Sequence, residues 1–467
     1  MNRRRTKIIC TIGPATASFS KLQALCEAGM NIVRLNMSHA DHASAKRVIN
    51  WIKTLNRELK YPVAILLDTQ GPEIRTGEVN EPIDVAAGEV VSVSVLPEDV
   101  ERSSIHINYD ELIEVLQVGN RLTVDNGLIN FEVLEKQGGR LLCKVLDGGS
   151  LGSRRHVNLP GIRVNLPAIT AKDRKDIEFA VEHDLDFIAL SFVRSAADIV
   201  ELREVLGAKA KNIKIIAKIE DQEGVTNVHE IVREADGVMV ARGDLGIETN
   251  IADLPNVQRR IVHSCAMGGK RSIVATHLLE SMIENPVPTR AEVTDVANAI
   301  YEGVDAIMLS GETSVGKYPV RCVEQLHEIA MASERWAGLG YEQQLVADTD
   351  KQHIAINAVA LAEDIAAAGI VVITRRGIMA DLVTSARPQN VPIFAFTNHS
   401  QTRRRLALNR AVHSHRMAFS SEPEKTLQRA LAILRDREGF DDQAKVVVIS
   451  DVLAEKNSDA IQLRYLS

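Results

Sequence analysis

The 467-residue sequence predicts an α/β protein: a parallel eight-stranded barrel that carries an inserted β unit and is followed by a separate C-terminal α/β unit. Three observations predict it. Short β-branched runs alternate with longer amphipathic stretches, and eight such runs can be counted. Between the third run and the fourth lie over a hundred residues of alternating, turn-rich sequence. After Trp336 a polar connection leads into a second, shorter series of apolar runs.

The eight runs, in order, are "TKIICTI", "NIVRLNM", "VAILLDT", "FIALSFV", "IKIIAKIE", "GVMVARGD", "SIVAT" and "DAIMLSGE". Stretches such as Phe19–Ala28, Ala43–Lys60 and Asp198–Lys209 place apolar residues at helical spacing between them. Eight strand–helix units of this size read as a TIM (β/α)8 barrel over residues 1–70 and 167–337. The segment 71–166 contains "GEVVSVSVL", "NRLTVDNGLINFEVL", "KQGGRLLCKVL" and "DGGSLGS". A single loop of that length is implausible, so an inserted β domain is expected, standing over the rim where barrel chemistry occurs. "GIVVIT", "VPIFAF" and "KVVVIS", with helical stretches between them, place an α/β unit at 338–467.

Bulk composition narrows the function. A net charge of -7, with 45% hydrophobic and 25% charged residues, fits an ordinary enzyme and gives no reason to expect nucleic acid or a membrane surface as partner. The basic clusters Arg3–Arg5 and Arg403–Arg405 read as solvated faces. Five scattered cysteines without a C-x-x-C pair suit a reducing cytoplasm and exclude a disulfide framework. No stretch reaches a membrane-spanning length, so a soluble cytoplasmic protein is expected.

In such a barrel the active site is built at the C-terminal ends of the strands. Those ends carry Arg34 and Asn36, Asp68, Lys218 and Glu220, Arg242 and Asp244, Thr276, and Ser310 with Glu312. Glu220 and Asp244 are two hard carboxylates suited to Mg²⁺ or Mn²⁺ with positions left open for substrate. Lys218 shares a strand face with Glu220. It either stabilises charge on a transferring phosphoryl group or forms a structural pair with that glutamate. Arg34 fits bidentate phosphate recognition. Asn36, Ser38 and Asp68 carry one formal charge, which suits a monovalent cation or a plain hydrogen-bond network. In "GVMVARGDLGIE" the Gly243 and Asp244 backbone N–H groups are offered to an anion that the same metal coordinates, while Arg242 braces the turn.

These residues and their flanking segments resemble the pyruvate kinase family over nearly the whole chain. The carrying motifs include "TKIICTIGPA", "NIVRLNMSH", "DTQGPEIRTG", "NLPGIRVNLPAIT", "IIAKIEDQEGV", "MVARGDLGIE", "PTRAEVTDVANAI" and "DAIMLSGETSVGKYP". The resemblance implies a barrel, an inserted β-barrel lid and a C-terminal regulatory domain. It also implies phosphoryl transfer from phosphoenolpyruvate to ADP, giving pyruvate and ATP, with Mg²⁺ or Mn²⁺ and K⁺, in a homotetramer. Carried over by motif, Lys218 stabilises the phosphoryl in flight and Arg34 contacts it. Glu220 and Asp244 hold the divalent ion, and Asn36, Ser38, Asp68 and the Thr69 carbonyl hold K⁺. Thr276, with the Gly243 and Asp244 amides, binds the substrate carboxylate. Pro14, Asn36, His39 and Arg75 lie by the nucleotide.

The sequence departs from the family pattern at Ser195, where many relatives have lysine, at Asn126, where the lid commonly has aspartate, and at His277, where glutamine is usual. Glu73 stands where K⁺-independent relatives carry lysine, so K⁺ dependence is expected, although Gln70 is unusual beside it. "TRRGIMA", 374–380, lacks the hydroxyls of a sugar-phosphate loop, and "SDVLAEKNSDA" replaces the usual glycine-rich closing loop. Regulation by fructose 1,6-bisphosphate is therefore expected to be absent. Two other readings are a catalytically silent sensor of phosphoenolpyruvate or nucleotide, and a metal-dependent aldolase. Retention of the full charged set argues against the sensor, and the insert together with the Asn36, Ser38 and Asp68 group argues against the aldolase.

Overall fold

The computed structural model describes residues 3–96, 104–125, 127–162, 164–450 and 460–466. Asn126 and residues 451–459 of the closing segment lie outside the described residues. Eight parallel strands form a closed barrel: β1 (Lys7–Thr11), β2 (Ile32–Asn36), β3 (Ala64–Asp68) and, after the insert, β12 (Phe187–Leu190), β13 (Lys214–Ile219), β14 (Gly237–Ala241), β15 (Arg271–Ala275) and β16 (Ala306–Leu309). All eight expected runs form these strands. They are apolar almost throughout because both faces of a parallel barrel are covered. Side chains alternate, so Ile9, Leu66, Ile216, Met239 and Met308 fill the barrel interior while Ile8, Leu67, Ile215 and Val240 pack against the outer helices.

The chain leaves the barrel after β3 and returns in β12, yet these two strands are hydrogen-bonded neighbours, with Asp68 opposite Ala189. The excursion therefore stands directly over the barrel mouth. It contains β4 (Ile83–Val85), β5 (Val90–Ser94), β6 (Ser104–His106), β7 (Arg121–Val124), β8 (Ile129–Gln137), β9 (Arg140–Asp147), β10 (Gly149–Leu151) and β11 (Val157–Asn158). Six of them form a sheet in the order β11-β7-β8-β9-β5-β6, and β4 pairs with β10. Gly138 and Gly139, both at positive φ, make the two-residue turn that joins β8 to β9. Phe131, Leu122, Leu141 and Val145 anchor a separate apolar core here.

The last unit has five strands, β17 (Gly369–Ile373), β18 (Ile393–Thr397), β19 (Val412–Arg416), β20 (Lys445–Ser450) and β21 (Ala460–Tyr465), in the order β19-β18-β17-β20-β21. β19, with the sequence "VHSHR", escaped notice because its polar residues hide the apolar alternation. β21 pairs antiparallel to β20 at the sheet edge. Helices also end earlier than the periodicity implies. The expected Ala43–Lys60 helix spans His42–Leu55, and the expected Asp198–Lys209 helix spans Ala196–Leu206 before a 3-10 turn.

The basic clusters are not solvated faces. Arg3 reaches Glu438 at 2.7 Å and Tyr61 at 2.7 Å, and Arg4 donates to the Gly29 carbonyl and to Asn31. Arg404 pairs with Asp184 and Asp186, and Arg403 donates to the Lys60 carbonyl. Arg3, Arg403 and Arg404 fasten the C-terminal unit to the barrel floor, a role that a charge run in isolation cannot reveal. Ala407 and Leu408 follow the second cluster and plug the bottom of the barrel interior. Beside them the buried Asp305, at the start of β16, receives both Arg387 guanidinium nitrogens at 2.8 Å and Arg271 at 3.1 Å.

Burial alone would raise the Asp305 carboxyl, but Arg271 and Arg387 outweigh it and hold it down at about 2. Its folded pKa is therefore depressed, so its stabilisation is present above the ordinary carboxyl range and is lost as pH falls from there towards about 2. Asp305→Asn should cost about 3–5 kcal/mol near neutrality by leaving two buried guanidinium groups unpaired. A urea midpoint series should show the gap between parent and variant closing below the ordinary carboxyl range.

Candidate active site

Lys218 is the last inward side chain of β13, and its ammonium is the centre of the barrel mouth. It lies 3.1 Å from Asp68, 3.0 Å from Glu220 and 2.7 Å from the Ser191 hydroxyl. Burial works against the charge, but Asp68 and Glu220 outweigh it and hold the amine above the ordinary lysine range. Asp68, itself fully buried, also receives Arg34 Nε at 2.6 Å. Burial opposes its ionisation too, yet Arg34 and Lys218 keep it below the usual carboxylate range. Arg34 Nη1 donates to Thr11 Oγ1 at 2.9 Å, which fixes the guanidinium against β1. Both readings of Lys218 thus have a basis: it is paired with Glu220, and it points into the mouth.

Glu220 and Asp244 behave differently from Asp68. Burial draws Glu220 up to about 7, partly opposed by Lys218 and reinforced by Asp244. Asp244 is raised for the same first reason. A buried and a half-buried carboxyl group with raised pKa values are a fitting pair for a divalent cation. Their hard oxygens match Mg²⁺ or Mn²⁺, and no group of three or more His, Cys, Asp or Glu side chains that could hold a metal occurs among the described residues.

The opening of the helix Arg242–Glu248 follows β14 without a break, as the glycine turn implied. A Cβ on Gly243 would lie 3.0 Å from Thr276 Cγ2, so glycine here lets the Thr276 side chain pack tightly against the turn. Arg242 does brace the turn. It donates to the Thr276 carbonyl at 2.7 Å and to Asp295 at 2.7 Å. Thr276 has φ 73° and the exposed His277 has φ 54°, a conformation costly for a β-branched residue. The Arg242 clamp on the Thr276 carbonyl is what the structure offers against that strain. His277 fills no buried polar slot.

Sequence reasoning missed two residues of this mouth. The Ser191 hydroxyl, besides accepting from Lys218, donates to the Thr69 carbonyl at 2.7 Å. Phe192, at φ 52°, donates its backbone N–H to Glu220 at 2.6 Å. Both lie in "FIALSFV", which reads as plain strand; a serine at a barrel strand end was the only available signal. Glu312, grouped with the strand-end acids, is a brace whose carboxylate accepts the Leu279 and Ser310 N–H groups.

The outer residues are less converged. Asn36 stands opposite Asp68 and its Oδ1 accepts the Ser38 N–H at 3.1 Å, while the Thr69 carbonyl accepts from Ser191. Pro14 and His39 are exposed at the rim. Arg75 is held by Glu73 at 2.6 Å and by the Arg154 carbonyl, and Gln70 donates to the same Glu73 carboxylate. Glu73 therefore does not present a bare negative charge. Ser195 precedes the helix Ala196–Leu206, and its N–H donates to Asp198.

A buried lysine and arginine facing carboxylates at the mouth of a parallel barrel make a charged site suited to an anionic substrate. The family model described as pyruvate kinase, barrel domain, matches residues 3–323, and that described as pyruvate kinase, alpha/beta domain, matches 352–462. Plastidial pyruvate kinase 2 of Arabidopsis thaliana is 42% identical over 437 residues, covering 92% of this chain and 75% of the relative. A pyruvate kinase of Geobacillus stearothermophilus is 44% identical over 443 residues, covering 92% and 74%. One of Clostridium perfringens is 39% identical over 444 residues, covering 93% and 94%. The chain belongs to the pyruvate kinase family. It is a phosphotransferase of the glycolytic step that joins phosphoenolpyruvate and ADP to pyruvate and ATP.

Ser191 acts here through Lys218. Ser191→Ala should lower kcat about ten- to a hundredfold, the loss of one hydrogen bond to a charged group. Substrate KM should change little, because the carboxylate and metal contacts remain. A KM rise with unchanged kcat would show that the hydroxyl serves binding instead.

Proposed function

We propose that this chain transfers the phosphoryl group through Lys218, with Arg34 gripping the group in the ground state and Lys218 following its charge as it moves. The observation that carries the reading is the Lys218 ammonium, kept protonated between Asp68 and Glu220 at the barrel mouth. A fixed cation in a water-poor site stabilises developing charge without reorganisation at the moment of transfer. Glu220 and Asp244 would hold Mg²⁺ or Mn²⁺, which supplies Lewis-acid stabilisation of the substrate oxygens. The Gly243 and Asp244 amides take the substrate carboxylate. Thr276, packed against Gly243, helps to protonate the methylene carbon of the enolate, its hydroxyl relaying a proton that it regains from solvent. Pro14, Asn36, His39 and Arg75 receive the nucleotide, for which Arg75 must exchange part of its Glu73 contact.

We assign K⁺ to Asn36, Ser38, Asp68 and the Thr69 carbonyl. The support is chemical: four hard oxygens share one small region and carry a single formal charge. We also assign three working units, 1–70 with 167–337, 71–166 and 338–467, supported by apolar cores that separate along these lines. A cytoplasmic homotetramer is inferred from family membership, and no described helix is long and apolar enough to cross a membrane.

Lys218→Met removes the moving charge's partner, worth about 3–4 kcal/mol by comparison with other preorganised donors. Phosphoryl transfer, followed by coupling pyruvate to lactate dehydrogenase, should fall at least about a hundred- to a thousandfold. Metal-dependent proton exchange on pyruvate should survive better, because it moves no phosphoryl. Equal loss of both would show that the lysine chiefly holds the mouth together.

Replacing K⁺ by tetramethylammonium should lower activity at least about tenfold, equivalent to ~1.4 kcal/mol. Glu73→Lys should recover part of it and flatten the K⁺ response. Full activity in buffer free of K⁺ and NH₄⁺ would remove the K⁺ assignment.

A further inference from the structure

The chain crosses from the barrel into the inserted β unit after β3 and crosses back before the helix Ala171–Glu182, which leads to β12. Both crossings meet at one side chain. Asp173 stands in the first turn of that helix and is fully buried. Its Oδ2 accepts the Thr170 N–H at 3.0 Å and the Thr170 hydroxyl at 2.6 Å, on the returning crossing. Its Oδ1 accepts the N–H groups of Gln70 at 3.1 Å and Gly71 at 3.2 Å, on the outgoing crossing 103 and 102 positions earlier.

Capping the helix accounts for only half of this arrangement. Glu292, in the equivalent capping box of the helix Arg290–Tyr301, takes donors no more than 11 positions away. Asp173 commits a whole oxygen to a distant segment. Its charge rests on N–H and O–H donors, with no basic side chain paired to it among the described residues. An ionised carboxylate offers two acceptor oxygens and no donor, whereas asparagine would turn an N–H towards one of the two crossings.

The same point is joined to the catalytic mouth. Gly71, at φ 74°, has no room for a side chain, because a Cβ would lie 2.7 Å from Ser191 Cβ and 3.0 Å from the Phe192 ring. Ser191 and Phe192 are the residues that hydrogen-bond Lys218 and Glu220. Arg194, two residues further on, donates to the Val164 and Leu166 carbonyls and holds the returning crossing at a second point. With both crossings fixed to the barrel, the inserted unit can swing but cannot shift away from the mouth.

We propose that Asp173 is a positioning residue for phosphoryl transfer, pinning both crossings so that the inserted unit returns to one place over Lys218 at each turnover. The inference rests on residues 71–166 working as one unit and on the nucleotide site assigned above. That site is divided between the barrel, with Pro14, Asn36 and His39, and the insert, with Arg75. Arg34, Lys218, Gly243, Asp244 and Thr276, assigned to phosphoenolpyruvate, all stand on the barrel. Loosening the pin therefore parts the two halves of the nucleotide site and leaves the phosphoenolpyruvate set together.

Asp173→Asn keeps the shape and loses one acceptor, and Asp173→Ala loses both. Kinetics are read in the full chain by coupling to lactate dehydrogenase, and phosphoenolpyruvate binding by calorimetry with Mg²⁺ and no nucleotide. Asp173→Asn should raise the ADP KM about three- to tenfold and lower kcat about tenfold, as expected for lost charge-assisted hydrogen bonds. The Kd for phosphoenolpyruvate should stay within about twofold of the parent. Asp173→Ala should go further in the same direction, and Asp173→Asn carries the test alone if Asp173→Ala does not fold. Hydrogen exchange read by mass spectrometry should show the Gln70 and Gly71 amides opening about tenfold faster in Asp173→Asn, with β7, β8 and β9 protected as in the parent. Parallel loss of phosphoenolpyruvate and ADP affinity would make Asp173 a stability residue and overturn the proposal, as would an unchanged ADP KM. Faster exchange throughout β7, β8 and β9 would overturn it differently, by showing that 71–166 is not a unit of its own.

Discussion

The buried charge of Lys218 is the constraint on which the rest of the mouth depends. An ammonium taken out of water is costly unless carboxylates stand within contact distance. Asp68 and Glu220 meet that condition at 3.1 and 3.0 Å, and they come from two different strands. Asp68 in turn needs Arg34, which brings in β2 and, through Thr11, β1. These charges are tolerable because the closed barrel brings β13, β3 and β2 round to one mouth. The same chain of dependence leaves Glu220 and Asp244 short of positive charge, and that deficit makes the pair fit for a divalent cation.

Strain and bracing are arranged around this network. Phe192 and Thr276 both sit at positive φ at the ends of barrel strands. In the first case the unusual backbone aims an N–H at Glu220, and in the second it brings the threonine against Gly243. Arg242 and Asp295 hold the second from behind, just as Ser191 steadies Lys218. Without these supporting residues the first set of side chains would have no fixed geometry.

The C-terminal unit contributes to the barrel as a physical part of it. Its Ala407 and Leu408 complete the interior packing, and Arg387 neutralises Asp305 below β16. Two arginine clusters far apart in sequence meet the opposite unit rather than water. The floor is therefore charged like the mouth, and at Asp305 the pairs are complete.

Much of the fold was legible in the sequence, because apolar runs and their period report local burial directly. Eight runs became eight strands, and the long interval between the third and fourth became a second unit. The strand-end positions of Arg34, Asp68, Lys218, Glu220, Asp244 and Thr276 followed from the same alternation. What only the tertiary structure decided was partnership. Ser191 meets Lys218, Arg242 meets Thr276, and Arg404 meets Asp186 across intervals of sequence that no local pattern spans. "VHSHR" became a strand for the same reason, since β18 supplies its hydrogen bonds. Periodicity records which way a residue faces along its own element. The energy of a buried charge or a strained backbone depends on what faces it, and that is set by strands and units brought together from elsewhere in the chain.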